Sequence, residues 1–165
     1  MSKPIKISYI WNKNNIDKLF EASYKYLFEN SSKRYIGWFF IAMAQFGVVA
    51  LFKKGSFALL LFSTIILVYW YYVKKLIAKK RAIKAFEESP FKNKRIDILV
   101  DENGFKTPSN NRSWKWEDIQ KVIPVGEDIL IYNNPNFHYI PSSGFKSIED
   151  KSYFKSLAKQ HGVLE

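Results

Sequence analysis

The chain has 165 residues, 47% of them hydrophobic and 18% aromatic, and its 26 Lys and Arg against 15 Asp and Glu leave a formal charge of +11. It has no cysteine, which excludes disulfides and thiolate metal sites. The surplus of positive charge points to nucleic acid, an anionic lipid surface or the flanks of membrane helices, and the placement of the basic residues decides among them.

At the start, Ile5, Ile7, Tyr9 and Trp11 alternate with Lys6 and Ser8, the pattern of a short strand ended by Asn12, Asn14 and Asn15. This polar opening does not read as a secretory signal peptide, and Ser2 stands where myristoylation would need Gly, so a retained N-terminus is expected. Ile16, Leu19, Phe20, Tyr24, Leu27 and Phe28 then recur at three- and four-residue steps and predict an amphipathic helix, with Asn14 or Asn15 as its cap.

Two uncharged runs follow, YIGWFFIAMAQFGVVALF from Tyr35 to Phe52 and FALLLFSTIILVYWYYV from Phe57 to Val73. Each is long enough to cross a bilayer, and Lys53-Lys54-Gly55-Ser56 between them allows only a tight antiparallel hairpin. Tyr35, Trp38 and Tyr69 to Tyr72 put aromatic rings at one end of that hairpin, where an interfacial belt belongs. Lys33, Arg34, Lys74, Lys75, Lys79, Lys80, Arg81 and Lys84 flank the same end and outnumber Lys53 and Lys54 at the tip. The positive-inside rule therefore predicts a multi-pass membrane protein with both termini cytoplasmic. Gln45, Ser63 and Thr64 are the candidate polar contacts across the hairpin inside the membrane.

Lys74 to Glu88 carries no helix breaker and extends the second span until Ser89-Pro90. Beyond it the pattern shortens. Strands are predicted over residues 96–101, 105–107, 112–116, 118–125, 128–132 and 137–140, with turns at Glu102-Asn103-Gly104, Pro108-Ser109-Asn110-Asn111, Gly126-Glu127 and Asn133-Asn134-Pro135-Asn136. A closing helix from Ile148 to Gln160 would lay Tyr153, Phe154 and Leu157 on the sheet and stop at Gly162. The fold class is α+β: a two-helix transmembrane hairpin plus a small antiparallel β domain closed by a C-terminal helix. The chain is divided into an N-terminal strand and helix (1–33), the hairpin with its helical extension (34–88) and a β-rich domain (89–165), which the N-terminal strand and helix could return to join.

The order of these elements, with the stretches IDILVDENGF (residues 96–105), WKWEDIQKV (114–122), ILIY (129–132) and HYIPSSGFKSIEDKSYFKSL (138–157), resembles the YcxB-like family of bacterial membrane proteins. The resemblance spans nearly the whole chain. It implies a pleckstrin-homology-like C-terminal domain and the same membrane topology, and it implies no catalytic residue. Ser142 and Ser143 follow Pro141 where the family often has a basic residue, a departure that removes a charge from that turn.

For chemistry the chain offers two separated histidines, His138 and His161, with no partner motif, and acidic pairs that read as turn and helix-start residues. No phosphate loop, nucleophile elbow or dinucleotide fingerprint is present, so no enzyme, cofactor or metal is expected. The candidate partner or lipid surface is Arg112, Trp114, Lys115 and Trp116, together with Lys79, Lys80 and Arg81. In a regular strand Trp114 and Trp116 share one face and Lys115 takes the other, which argues against nucleic acid and leaves the two rings as either core or binding surface. The expected function is partner-protein binding near the membrane. The alternatives are an immunity protein that neutralises a cognate antibacterial secretion-system toxin, and an anionic-lipid-binding or small transporter accessory protein.

Overall fold

A computed structural model describes residues 4–32, 34–108 and 112–165, so Lys33 and, of the turn expected at 108–111, Ser109, Asn110 and Asn111 lie outside the described residues. In chain order the elements are β1 (Ile5–Ile10), α1 (Lys13–Glu29), α2 (Arg34–Lys54), α3 (Ala58–Glu87), β2 (Arg95–Asp101), β3 (Gly104–Thr107), β4 (Arg112–Lys115), β5 (Lys121–Val125), β6 (Asp128–Asn133), β7 (Asn136–Ile140) and α4 (Ile148–Gln160). The protein is thus α+β, with four helices and two antiparallel sheets among the described residues, ordered β1-β2-β3-β4 and β5-β6-β7.

The strand before the hairpin pairs with the first strand after it, in a register that sets Ile5 opposite Val100 and Ile10 opposite Arg95. Ile5 and Ile7 thereby enter the same core as Ile98 and Val100. Trp11 and Asn93 prolong the pairing past the strand ends, the Trp11 N–H donating to the Lys94 carbonyl at 2.9 Å and the Asn93 N–H to the Trp11 carbonyl at 2.8 Å. This pairing makes one compact unit of the chain up to Ser23 with Ala85–Glu165, and a second unit of Tyr24–Lys84. The divisions fall inside α1 and α3, away from residues 33 and 88 where the pattern changes in the sequence.

Within the β unit, Phe105, Trp116, Ile119, Val122, Ile129, Ile131, Phe154 and Leu157 fill the space enclosed by the two sheets and α4. Ser147 caps α4 by accepting from the Asp150 N–H at 3.2 Å, and Gly162 leaves it at φ +69°, a backbone conformation open to glycine without cost. The chain end then lies along β5, with the Val122 N–H donating to the Val163 carbonyl at 2.6 Å. Two expectations need correction here. Helix α1 starts at Lys13, because Asn12, not Asn14 or Asn15, accepts from the Asn15 N–H at 3.0 Å; Asn15 instead donates its side chain to the Ile10 carbonyl at 2.7 Å. The strand expected over 112–116 ends at Lys115 and the next begins only at Lys121, because Asp118 accepts from the Lys115 N–H at 2.9 Å and folds Trp116–Asp118 into a 3₁₀ turn.

In the second unit α2 and α3 are 21 and 30 residues long and apolar enough to cross a membrane, and only 11% and 6% of the residues in their apolar windows are buried within the protein. Their apolar side chains therefore face outward, unlike those of a core helix in a globular domain. The two helices approach closely through small residues: a Cβ added at Gly47 would meet Leu60 Cα at 2.7 Å, and Ser63 is fully buried. Gly37 similarly accommodates Tyr71, whose hydroxyl would lie 2.1 Å from a Cβ there. Polar contacts do not hold this hairpin in the manner expected from Gln45, Ser63 and Thr64. Ser63 lies within hydrogen-bonding distance of the Leu59 and Leu60 carbonyls of its own helix, Thr64 donates to Leu60, and Gln45 is exposed. Hydroxyls that can reach back one turn satisfy themselves locally, which leaves close packing to join the helices.

Candidate functional site

The two sheets close on each other imperfectly at the end from which the chain leaves β1 and enters β2. There the hydroxyl of Tyr9 donates to the carbonyl of Tyr139 at 2.9 Å, and the Trp114 ring meets the His138 ring edge-to-face at 5.0 Å. Between these contacts a groove of about 230 Å³ remains, with Trp11, Leu19, Phe91, Thr107, Trp114 and Phe137 prominent among its walls and Arg112 and His138 at its polar side. Burial holds the Tyr9 hydroxyl well above the usual tyrosine range, so it stays a neutral donor. His138 is pushed below the ordinary histidine value, first by burial and then by the nearby Arg112 charge, so the imidazole beside Trp114 is neutral at pH 7.

Helix α1 forms one side of this groove because it is fastened to the second sheet. Leu130 and Tyr139 are 0% and 1% exposed although Leu130 points to the face opposite Ile129 and Ile131, so that face is covered as well. The fastening is at Asp128, which accepts from Lys18 at 3.0 Å, from the Ser142 N–H at 2.8 Å and from the Tyr139 hydroxyl. Burial alone would raise the Asp128 carboxyl, but the hydrogen bonds from Tyr139, Ser142 and Lys18 outweigh it and hold the group below the usual carboxylate range.

The residues singled out in the sequence divide accordingly. Arg112 and Trp114 line the groove, whereas Lys115 is exposed on the other face of β4. Trp116 is removed from any surface: it is 2% exposed, packs on Phe105 at 4.6 Å, stacks on His161 at 5.0 Å and donates its indole N–H to the Asp101 carbonyl at 2.9 Å. Lys79, Lys80 and Arg81 belong to α3 in the other unit, with Lys80 and Arg81 exposed and Lys79 half-buried. Sequence reasoning missed Trp11, Leu19, Phe91 and Phe137, because these come from four separate segments that only the β1–β2 pairing and the Asp128 fastening bring together.

A volume of about 230 Å³ lies under the ~300–1,000 Å³ usual for small-molecule sites and suits one protruding side chain of a larger partner. Among the described residues no group of three or more His, Cys, Asp or Glu is placed to hold a metal ion. No family model matches this chain, and neither a curated protein nor a solved structure does so.

Proposed function

We propose that this is a non-enzymatic bacterial inner-membrane protein of the YcxB-like kind, anchored by the α2–α3 hairpin with both termini cytoplasmic, whose β domain binds a partner protein. The observation that carries the reading is the groove: an aromatic-walled cleft of about 230 Å³, open to solvent and flanked by Arg112, with the dimensions of a pocket for an anchoring apolar side chain. A pleckstrin-homology-like description of the domain is supported by its four-stranded and three-stranded antiparallel sheets and by a C-terminal helix that places Phe154 and Leu157 in the core. Membrane anchoring is supported by two long apolar helices whose side chains face outward. The non-enzymatic reading is supported by the two histidine rings packing separately on tryptophans, His138 on Trp114 and His161 on Trp116, rather than converging on one site.

The test is affinity isolation of the tagged full-length protein from its own cells in mild detergent, repeated with Leu19→Arg, which drives a charged side chain into the groove. A stoichiometric partner retained by the parent and lost by the variant supports the reading. The same partner retained by both places the binding surface elsewhere and overturns it. A partner that proves to be a secreted antibacterial toxin would make the binding an immunity function.

A further inference from the structure

The hairpin unit contains a second cleft, distinct from the groove in the β domain. Tyr24, Leu27 and Phe28 from the second half of α1, Ser31 just beyond its end, and Trp70 and Lys74 from α3 enclose about 260 Å³. Its walls are apolar and aromatic, and it carries one cation, Lys74, whose ammonium is held 4.1 Å from the centre of the Trp70 ring. A lysine amine has three donors and the ring face engages one side of it, so it can still meet an anion. Lys75 lies over Tyr24 at 5.8 Å, adding positive potential at the same rim.

Helix α3 changes its winding here. Tyr69–Val73 is π-helical, and the Lys74 N–H donates to the Tyr69 carbonyl five residues back. Such single π turns concentrate at functional positions because they re-aim side chains from an otherwise regular helix. This one sits where the apolar run of α3 gives way to Lys74 and Lys75, at the end of the hairpin where Tyr71 packs on Gly37 and Trp70 meets Phe40 at 6.1 Å. The cleft therefore offers apolar walls continuous with the lipid-facing surface and a cation at the depth of the headgroups.

We propose that this cleft binds one acidic phospholipid, its phosphate on Lys74 and its glycerol and upper acyl chains along Tyr24, Leu27, Phe28 and Trp70. The occupant is a lipid rather than a soluble anion because a phosphate alone needs no aromatic walls. The proposal rests on the spanning reading of α2 and α3, and is independent of the groove in the β domain.

Native mass spectrometry of the delipidated full-length protein, titrated with dioleoyl phosphatidylglycerol, dioleoyl phosphatidylcholine or glycerol 3-phosphate, tests it. One phosphatidylglycerol adduct is expected in preference to phosphatidylcholine, with no adduct from glycerol 3-phosphate. Lys74→Gln should weaken it about fivefold and Lys74→Glu about tenfold or more. Lys53→Gln, at the opposite end of the hairpin, should match the parent. Gln keeps the helical propensity of Lys, so the Gln variant reads the charge without breaking α3. Equal retention of both lipids, an undiminished adduct in Lys74→Glu, or equal loss in Lys53→Gln overturns the site. A protein that stays dispersed and monomeric without detergent would instead refute the spanning reading beneath it.

Discussion

Two tryptophans two residues apart make opposite predictions under substitution. Trp116 is 2% exposed and touches Phe105, Phe154 and His161, with ring centres 4.6, 5.9 and 5.0 Å away. Removing so large a buried ring costs about 3–5 kcal/mol, and stripping the donor from the Asp101 carbonyl adds about 1 kcal/mol. Trp116→Ala should therefore lose about 4–6 kcal/mol, much of the ~5–15 kcal/mol a domain typically has. Trp116→Phe keeps most of the ring and should lose about 1–2 kcal/mol, chiefly through the indole hydrogen bond. Trp114 is only partly buried, its ring between Phe105 and His138 at 5.6 and 5.0 Å, so Trp114→Ala should cost about 1–2 kcal/mol while enlarging the groove. Guanidinium unfolding of the full-length protein in detergent micelles, read by near-ultraviolet circular dichroism, measures all three. Equal costs for the two alanine variants, or a loss below about 2 kcal/mol for Trp116→Ala, would refute the division into core and groove.

Ile7→Asp would bury an unpaired charge at a position that is 0% exposed in β1, and should abolish the near-ultraviolet signal of the β domain, whereas Lys6→Asp on the exposed face should leave it intact. Because the His138 value in the folded protein lies below its ordinary value near 6.5, the unfolded chain binds more protons between the two, so stability should be level above about pH 7 and decline as pH falls through about 6.5; His138→Gln should flatten that step in pH-dependent melts. The Asp128 carboxyl is depressed too, so its contribution is complete above about pH 4 and is lost as pH falls below that and through the lower folded value, and Asp128→Asn should remove this acid limb. Gly47→Leu should push α2 from α3 at Leu60 and cost about 1–3 kcal/mol, measured as a lower SDS fraction at the unfolding midpoint in mixed micelles.

What could be read in the sequence was what local physics decides. The two uncharged runs announce α2 and α3 by composition alone, and the closing helix is bounded by a serine that caps it and a glycine that releases it. The turn chemistry of Asp101 to Gly104 likewise places a hairpin, since Asp101 accepts from the Asn103 and Gly104 N–H groups and Gly104 lies at φ +145°. The rest depends on partners distant in the chain. Pairing of β1 with β2 joins residues separated by the whole hairpin, and no periodicity in either strand reveals it. Trp116 looks like the next residue of an alternating strand until Asp118 turns back to cap Lys115. The π turn at Tyr69–Val73 has no signature in an apolar run, where any register keeps the side chains in a similar solvent. Of the surface residues anticipated, Arg112 and Trp114 belong to the groove because side chains of β4 alternate inward, while the walls contributed by Trp11, Leu19 and Phe91 required the assembled fold.

The central claim is that the β-domain groove receives a protein. The most direct test is site-specific photo-crosslinking in native cells, with benzoylphenylalanine introduced at Phe137 on the groove wall and, as the comparison, at Ser113, exposed on β4 and outside the groove lining. The account predicts one discrete protein adduct from position 137 and none from position 113; no adduct from either, or the same adducts from both, would contradict it.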